Sequence, residues 1–181
     1  MAVPLPSARP AWSRTWALGT IAVVVALFES LSGLGLLFFY RPVAASAHLD
    51  LVDLAAASPF AFVRDLHLWG GHALLIAAAL HLFRVVVAGA YRPPRRHNYQ
   101  VGVVLGLGVV ALALTGYLLP WGRHAQWLLA LTPSAAAGGD AVLAAVFALH
   151  CGVLPVAGTL LIVHHLRRAR RDDARARQEQ A

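Results

Sequence analysis

Residues 66–84 read LHLWGGHALLIAAALHLFR, a stretch that is apolar apart from its histidines and a terminal arginine. Its length comes close to the roughly 20 residues that a helix needs to cross a bilayer. His67 and His81 are fourteen residues apart. Fourteen residues make about four helical turns, so both side chains lie on one face, roughly 21 Å apart along the axis. The stretch therefore predicts a membrane-spanning helix with two imidazoles on one face.

The rest of the chain contains three more apolar blocks of similar length. With 181 residues, 59% of them hydrophobic, and a mean hydropathy of +0.66, the chain is too apolar for an ordinary soluble domain. The predicted spans cover about residues 16–39, 66–91, 101–121 and 141–166. We expect an all-α membrane protein whose four transmembrane helices form one domain over residues 16–166. Residues 1–15 are predicted to be a cytoplasmic or interfacial arm, and residues 167–181 a basic cytoplasmic tail.

The positive charge of the chain is distributed unevenly along this topology. The formal net charge is +7, and all 15 basic residues are arginines. Eleven of them fall in the N-terminal arm, the second connection and the C-terminal tail. Because basic residues accumulate in cytoplasmic connections, we expect both termini on the cytoplasmic side of a bacterial inner membrane. This sorting favours a topology signal over a nucleic-acid-binding arm.

The fourth span repeats the histidine pattern of the second. It carries His150 and then the adjacent His164 and His165, which lie fourteen and fifteen residues further on. Imidazoles inside a bilayer need a partner, and two facing helices with matched pairs can supply two bis-histidine haem sites. A single histidine would more often be a packing residue, but the repeated spacing favours axial ligands. From this spacing alone, both His164 and His165 remain candidates.

Glycines repeat the same interval on the other two spans. Gly19 and Gly33 lie on the first, and Gly102 and Gly116 lie on the third, again fourteen residues apart. A glycine lets a helix approach a flat macrocycle, although it also allows ordinary close packing between membrane helices. Because the interval recurs on all four spans, clearance for haem is the better interpretation.

Several short runs resemble the N-terminal half of cytochrome b, in the short, split form found in cytochrome b6f and related bacterial quinol:cytochrome c oxidoreductases. The resemblance covers about residues 16–170. The runs are Arg64-Asp-Leu-His67, His81-Leu-Phe-Arg84, Gly89-Ala-Tyr-Arg-Pro-Pro-Arg95, Gly116-Tyr-Leu-Leu-Pro-Trp121, and Leu149-His150 with Leu154-Pro155.

The resemblance implies how the histidines pair. His67 and His150 would hold the haem near the outer face, and His81 with a histidine of the fourth span would hold the haem near the cytoplasmic face. In the split chains the second ligand of that span comes ten residues after a proline. Pro155 therefore favours His165 over His164.

Two arginines and two departures from the family pattern complete the expected site. Arg64 and Arg84 stand where the family has arginines near the haem propionates. Ala17 stands where chloroplast b6 proteins attach an extra haem through a cysteine, so no covalent haem is expected. Glu29 stands where b6-like chains have glutamine; it could handle protons or be a hydrogen-bonded structural acid.

The function implied by the resemblance is electron transfer through two non-covalent b-type haems in a quinol-oxidising complex. One electron of each quinol would pass to a Rieske iron–sulfur protein and on to a c-type cytochrome. The other would cross the two haems and reduce a quinone. The chain has only four spans and lacks the Pro-Glu-Trp-Tyr motif of the quinol-oxidation site, so a second cytochrome b subunit is expected. We also expect the complex to be a dimer.

Two alternatives remain open at this stage. The chain could be a stand-alone or dehydrogenase-anchoring di-haem cytochrome that does not bifurcate electrons. It could also be a haem-free membrane scaffold in which the histidines only pack. Co-purifying Rieske and second-half subunits would distinguish the first alternative, and the haem content of the protein would distinguish the second.

Overall fold

The computed structural model describes residues 16–57, 61–131 and 139–178, and these residues form helices and short connections without any strand. A π-helical turn, Leu149–Val153, joins the last two helices into one rod. The helices are α1 (Trp16–Leu36), α2 (Ala47–Ala57), α3 (Ala61–Val87), α4 (Arg96–Leu118), α5 (Arg123–Leu131), α6 (Gly139–Ala148) and α7 (Leu154–Gln178).

Four of these helical segments are long and apolar enough to cross a membrane: α1, α3, α4 and the α6–α7 rod. Many of their large apolar side chains point outward, including Phe28 at 58% and Leu114 at 61% exposure. Water would oppose this exposure, but lipid does not. The prediction of an all-α membrane protein with four spans is confirmed.

The spans pack in chain order. Helix α1 lies against α3, α3 lies against α4, and α4 lies against α7. Gly35 of α1 faces Val63 of α3, where a Cβ would make an ordinary contact of 3.6 Å with Val63 Cγ1. This order brings both histidine-bearing spans next to the glycine-bearing ones.

The connections on the side of the bundle that holds α2 are tied together by polar contacts. The Arg41 guanidinium pairs with Asp50 of α2 at 2.5 Å. The Tyr40 hydroxyl donates a hydrogen bond to Leu119 O at 2.6 Å, and the Ala44 N–H donates one to Asp140 Oδ1 at 2.7 Å. These bonds fix the ends of three spans relative to one another. Residues 132–138 of the third connection lie outside the described residues.

Some helix boundaries differ from the predicted ones. Helix α3 begins at Ala61 and ends at Val87, close to Gly89, whose φ of 71° breaks the helix. Helix α7 continues through Gln178, so the predicted basic tail is helical as far as that residue. Ion pairs hold this extension, since Arg95 contacts Asp173 and Arg168 Nε lies 3.4 Å from Asp172 Oδ1. The predicted arm at residues 1–15 lies outside the described residues.

Candidate functional site

Each of the four predicted glycines lies directly against a histidine ring. A Cβ placed on any of them would lie between 2.9 and 3.2 Å from the nearest atom of that ring. Real Cβ contacts are rarely so short, so a larger residue would force the ring to move. The pairs are Gly33 with His67, Gly116 with His150, Gly19 with His81, and Gly102 with His165. The glycines therefore create the space in which the imidazoles lie.

His67 of α3 and His150 of the π-helical turn face each other across the bundle. Their ring centroids are 6.1 Å apart, and the ring planes are close to perpendicular. A metal–imidazole bond is about 2 Å long, and the bonding nitrogen lies about 1 Å from its ring centre, so two imidazoles on one iron stand about 6 Å apart. His67 and His150, called the outer pair below after the face expected for them, thus have a separation compatible with a shared iron.

The hydrogen bonds of His150 determine which of its nitrogens is available. Its Nδ1 lies 3.0 Å from Leu112 O and 3.0 Å from Thr115 Oγ1. A carbonyl oxygen can only accept, so Nδ1 carries the proton and Nε2 keeps its lone pair. Metal-binding histidines usually donate their other N–H in this way, which fixes the ring.

His67 has a matching arrangement on the opposite side. Its Nδ1 lies 3.0 Å from Ser32 Oγ. The Ser32 hydroxyl donates its own proton to Glu29 O at 3.2 Å, so its oxygen is free to accept from Nδ1–H. Ser32 and Thr115 each precede the glycine that faces their histidine. Both imidazoles of the outer pair therefore direct Nδ1 toward the protein and leave Nε2 for a ligand.

His81 and His165 line a cavity of about 170 Å³ between the four spans. Its walls also include Gly19, Gly102 and Arg95, and otherwise consist mainly of aliphatic side chains. His81 and His165, called the inner pair below, thus lie in an apolar space that also has a cationic side chain among its lining residues.

The π-helical turn explains how the two adjacent histidines of the fourth span come to lie differently. A fifteen-residue step overshoots four regular turns by about 60°, but a π-turn absorbs one additional residue. Here the Leu154 N–H bonds to Leu149 O, five residues back, and Pro155 has no N–H to continue the regular pattern. The structure accordingly places His165 against Gly102 and in the cavity, whereas the His164 ring packs on His97 at 6.0 Å.

The two predicted arginines lie near the predicted histidines along α3. Arg64, three residues before His67, forms an ion pair with Asp65 at 3.2 Å. Arg84 lies in the last turn of α3, three residues after His81.

His72 of α3 provides a useful contrast, because both of its nitrogens are bonded within the protein. Nδ1 donates to Leu68 O at 2.7 Å, and Nε2 accepts from the Tyr117 hydroxyl at 2.5 Å. Its ring faces none of the four glycines. His72 is therefore a packing residue in this bundle.

Sequence reasoning missed the hydroxyl partners of the outer pair. A signal was present, since Ser32-Gly33 and Thr115-Gly116 place a hydroxyl residue at the same position relative to the glycine. It also missed Arg95 as a lining residue of the inner cavity.

Comparisons with known proteins agree with this geometry. The profile of the family described as cytochrome b/b6/petB matches residues 5–138. Cytochrome b6 of Porphyra purpurea is 27% identical over 169 residues, covering 83% of this chain and 79% of the relative. Cytochrome b6 of Synechocystis sp. is 28% identical over 171 residues, covering 83% and 77%.

Among solved structures, a chain of a hyperthermophilic respiratory Complex III superposes with a TM-score of 0.79 at 26% identity. The match covers 87% of this chain and 48% of that one, so the protein spans about half the length of its structural relative. The resemblance seen in the sequence is confirmed, and the chain belongs to the cytochrome b/b6 family.

Proposed function

We propose that this protein carries electrons across the bilayer through two non-covalent b-type haems, each held by two histidines. Family membership makes it a cytochrome b electron-transfer subunit of a membrane complex. The single observation that carries the finer proposal is the fourfold match of histidine ring to glycine. Packing alone gives no reason for four imidazoles to occupy four glycine clefts at a shared interval.

The residues of the chain fit this cofactor. His67 and His150 would hold the outer haem through Nε2, and His81 and His165 the inner one, with His164 as the alternative to His165. Bound in this way, each haem supplies a one-electron carrier without an open coordination position. Ser32, Thr115 and the Leu112 carbonyl fix the outer rings by holding their Nδ1 protons.

Other residues would orient the cofactor and control its surroundings. Arg64 and Arg84 are cations on the ligand-bearing helix and can pair with the carboxylates of the porphyrin. The inner cavity is lined mainly by aliphatic side chains. A low-dielectric surround of this kind is one of the means by which a protein sets a haem potential.

We further propose that the chain works in a quinol:acceptor oxidoreductase with a Rieske protein, a c-type cytochrome and a second cytochrome b subunit, in a dimeric complex. The similarity to a chain of a respiratory Complex III supports a place in such a complex. The arginine distribution supports cytoplasmic termini in a bacterial inner membrane. Quinone is the expected substrate, and the quinol-oxidation site is expected to need the partner subunit.

The ligand assignment is tested by dithionite-reduced minus oxidised spectra of the purified protein and its His67→Ala and His165→Ala variants. We expect each variant to lose one of two haems. His164→Ala and His72→Ala are the matched controls on the same helices and should keep both. If His164→Ala loses the inner haem and His165→Ala keeps it, His164 is the axial ligand in place of His165. A wild type without haem would leave the scaffold alternative.

The assignment to a complex is tested by mild detergent purification from the native membrane. Co-purification of an iron–sulfur subunit and a second apolar cytochrome b subunit is the expected result. A di-haem chain that purifies instead with a dehydrogenase, or alone at full occupancy, would contradict it.

A further inference from the structure

An acidic side chain lies inside the first span, next to the outer histidine pair. Glu29 of α1 is one helical turn before Gly33, and its Oε2 lies 3.3 Å from Nδ1 of His67. Its side chain is only 14% exposed. A carboxyl group is costly in the apolar interior of a membrane unless it has a partner, so this position is a candidate for a functional role.

Helix α3 is shaped to accept this side chain. A Cβ on Gly70 would overlap Glu29 Oε1, and a Cβ on Gly71 would lie 3.6 Å from Oε2. The missing side chain of Gly70 therefore leaves a notch, and the carboxyl group occupies it beside the His67 ring. Any larger residue at position 70 would push the carboxyl group away from the imidazole.

The carboxyl group makes the two sides of the outer pair unequal. Leu112 of α4 stands four residues before Gly116, as Glu29 stands four residues before Gly33. His150 Nδ1 lies 3.0 Å from the Leu112 backbone carbonyl, and the leucine side chain carries no acidic group. Among the described residues that line the inner cavity, none is acidic. The acid is thus specific to one imidazole of one pair.

We propose that Glu29 is a positioning residue that fixes the His67 ring and lowers the midpoint potential of the outer haem, an inference that rests on the proposed function. One-electron reduction of a bound haem would leave its bond to His67 intact. A carboxyl group close to Nδ1, in addition to the Ser32 hydroxyl that accepts its proton, would make the imidazole a more basic ligand and would favour the ferric state. In its ionised form, the carboxyl group would also oppose an arriving electron through its charge in a low dielectric. A lower potential at His67 and His150 would favour electron transfer from the outer haem to the inner one.

The test is a redox titration of the purified holoprotein and its Glu29→Gln variant, with the two haems resolved spectroscopically. Glutamine keeps the shape and an accepting oxygen but removes the acid. We expect the ferric-to-ferrous ratio of the outer haem, at fixed potential, to fall about tenfold, which is about 59 mV for a one-electron couple. The inner haem is an internal control and should not shift.

Ser32→Ala is the matched control, because it removes the other Nδ1 partner of His67 without changing charge. It should shift the outer ratio by less than Glu29→Gln does. A change below twofold in Glu29→Gln, or an equal shift of both haems, would overturn the proposal. If Glu29→Gln loses the outer haem, retention in Glu29→Asp supports the proposal and loss in both variants overturns it. Absence of haem from the wild type would instead refute the proposed function.

Discussion

Replacing Gly116 by valine should remove the outer haem while leaving the inner one in place. A Cβ at this position would lie 2.9 Å from His150 Cε1, whereas ordinary contact begins at 3.4 Å. The ring must therefore move by at least about half an ångström even for alanine, and valine adds two methyl groups. Overpacking of this kind costs about 1–3 kcal/mol, or roughly 5- to 150-fold in binding, and it falls directly on the proposed ligand.

The same helix offers a matched control. A Cβ on Gly108 would meet no atom within 4 Å, so Gly108→Val adds the same volume without touching a histidine. Haem content per chain is measured by pyridine haemochrome, and reduced-minus-oxidised spectra identify the haem that remains. We expect Gly116→Ala to be partly depleted, Gly116→Val to lack the outer haem and Gly108→Val to keep both. Full occupancy in Gly116→Val, or equal loss in Gly108→Val, would refute the clearance argument.

Three further predictions follow from individual contacts. Thr115→Val should weaken retention of the outer haem about fivefold, because one hydrogen bond of about 1 kcal/mol is lost while the Leu112 carbonyl remains; dilution-driven haem loss measures this. His165→Ala should lower inner-haem occupancy much more than His164→Ala, as judged from the same spectra. The Arg41 guanidinium lowers the pKa of Asp50, so this pair should stabilise α2 above about pH 4 and lose its effect as the pH falls through the lowered pKa. Limited proteolysis at pH 5 and pH 3 should show that difference in the wild type and not in Asp50→Asn.

The four spans and the histidine-bearing face of the second span could be predicted because both depend on local sequence. An apolar block of sufficient length specifies a membrane helix, and a fourteen-residue interval returns to the same face in any regular helix. His67 and His81 lie within one uninterrupted helix, so their shared face followed from spacing alone.

The fourth span could not be interpreted in this way. The interval from His150 to His165 crosses a π-helical turn, and spacing alone left His164 as an equal candidate. Pro155 was visible in the sequence, but its effect on the turn depends on how the backbone relaxes around the missing N–H.

The Nδ1 partners were also beyond sequence reasoning, because they come from neighbouring helices. Ser32 reaches His67 and Thr115 reaches His150 across 35 residues of chain in each case. Helix ends were similarly displaced where tertiary contacts extend a helix. The pairing of Arg95 with Asp173 anchors α7 well beyond its apolar part.

The most direct test of the central claim is the haem-to-chain ratio of the purified wild-type protein. Acid–acetone extraction distinguishes non-covalently bound haem from covalently attached haem. The account predicts two b-type haems per chain, both extractable. A ratio near one would leave one of the two histidine pairs without a cofactor, and a protein that contains no haem would contradict the account.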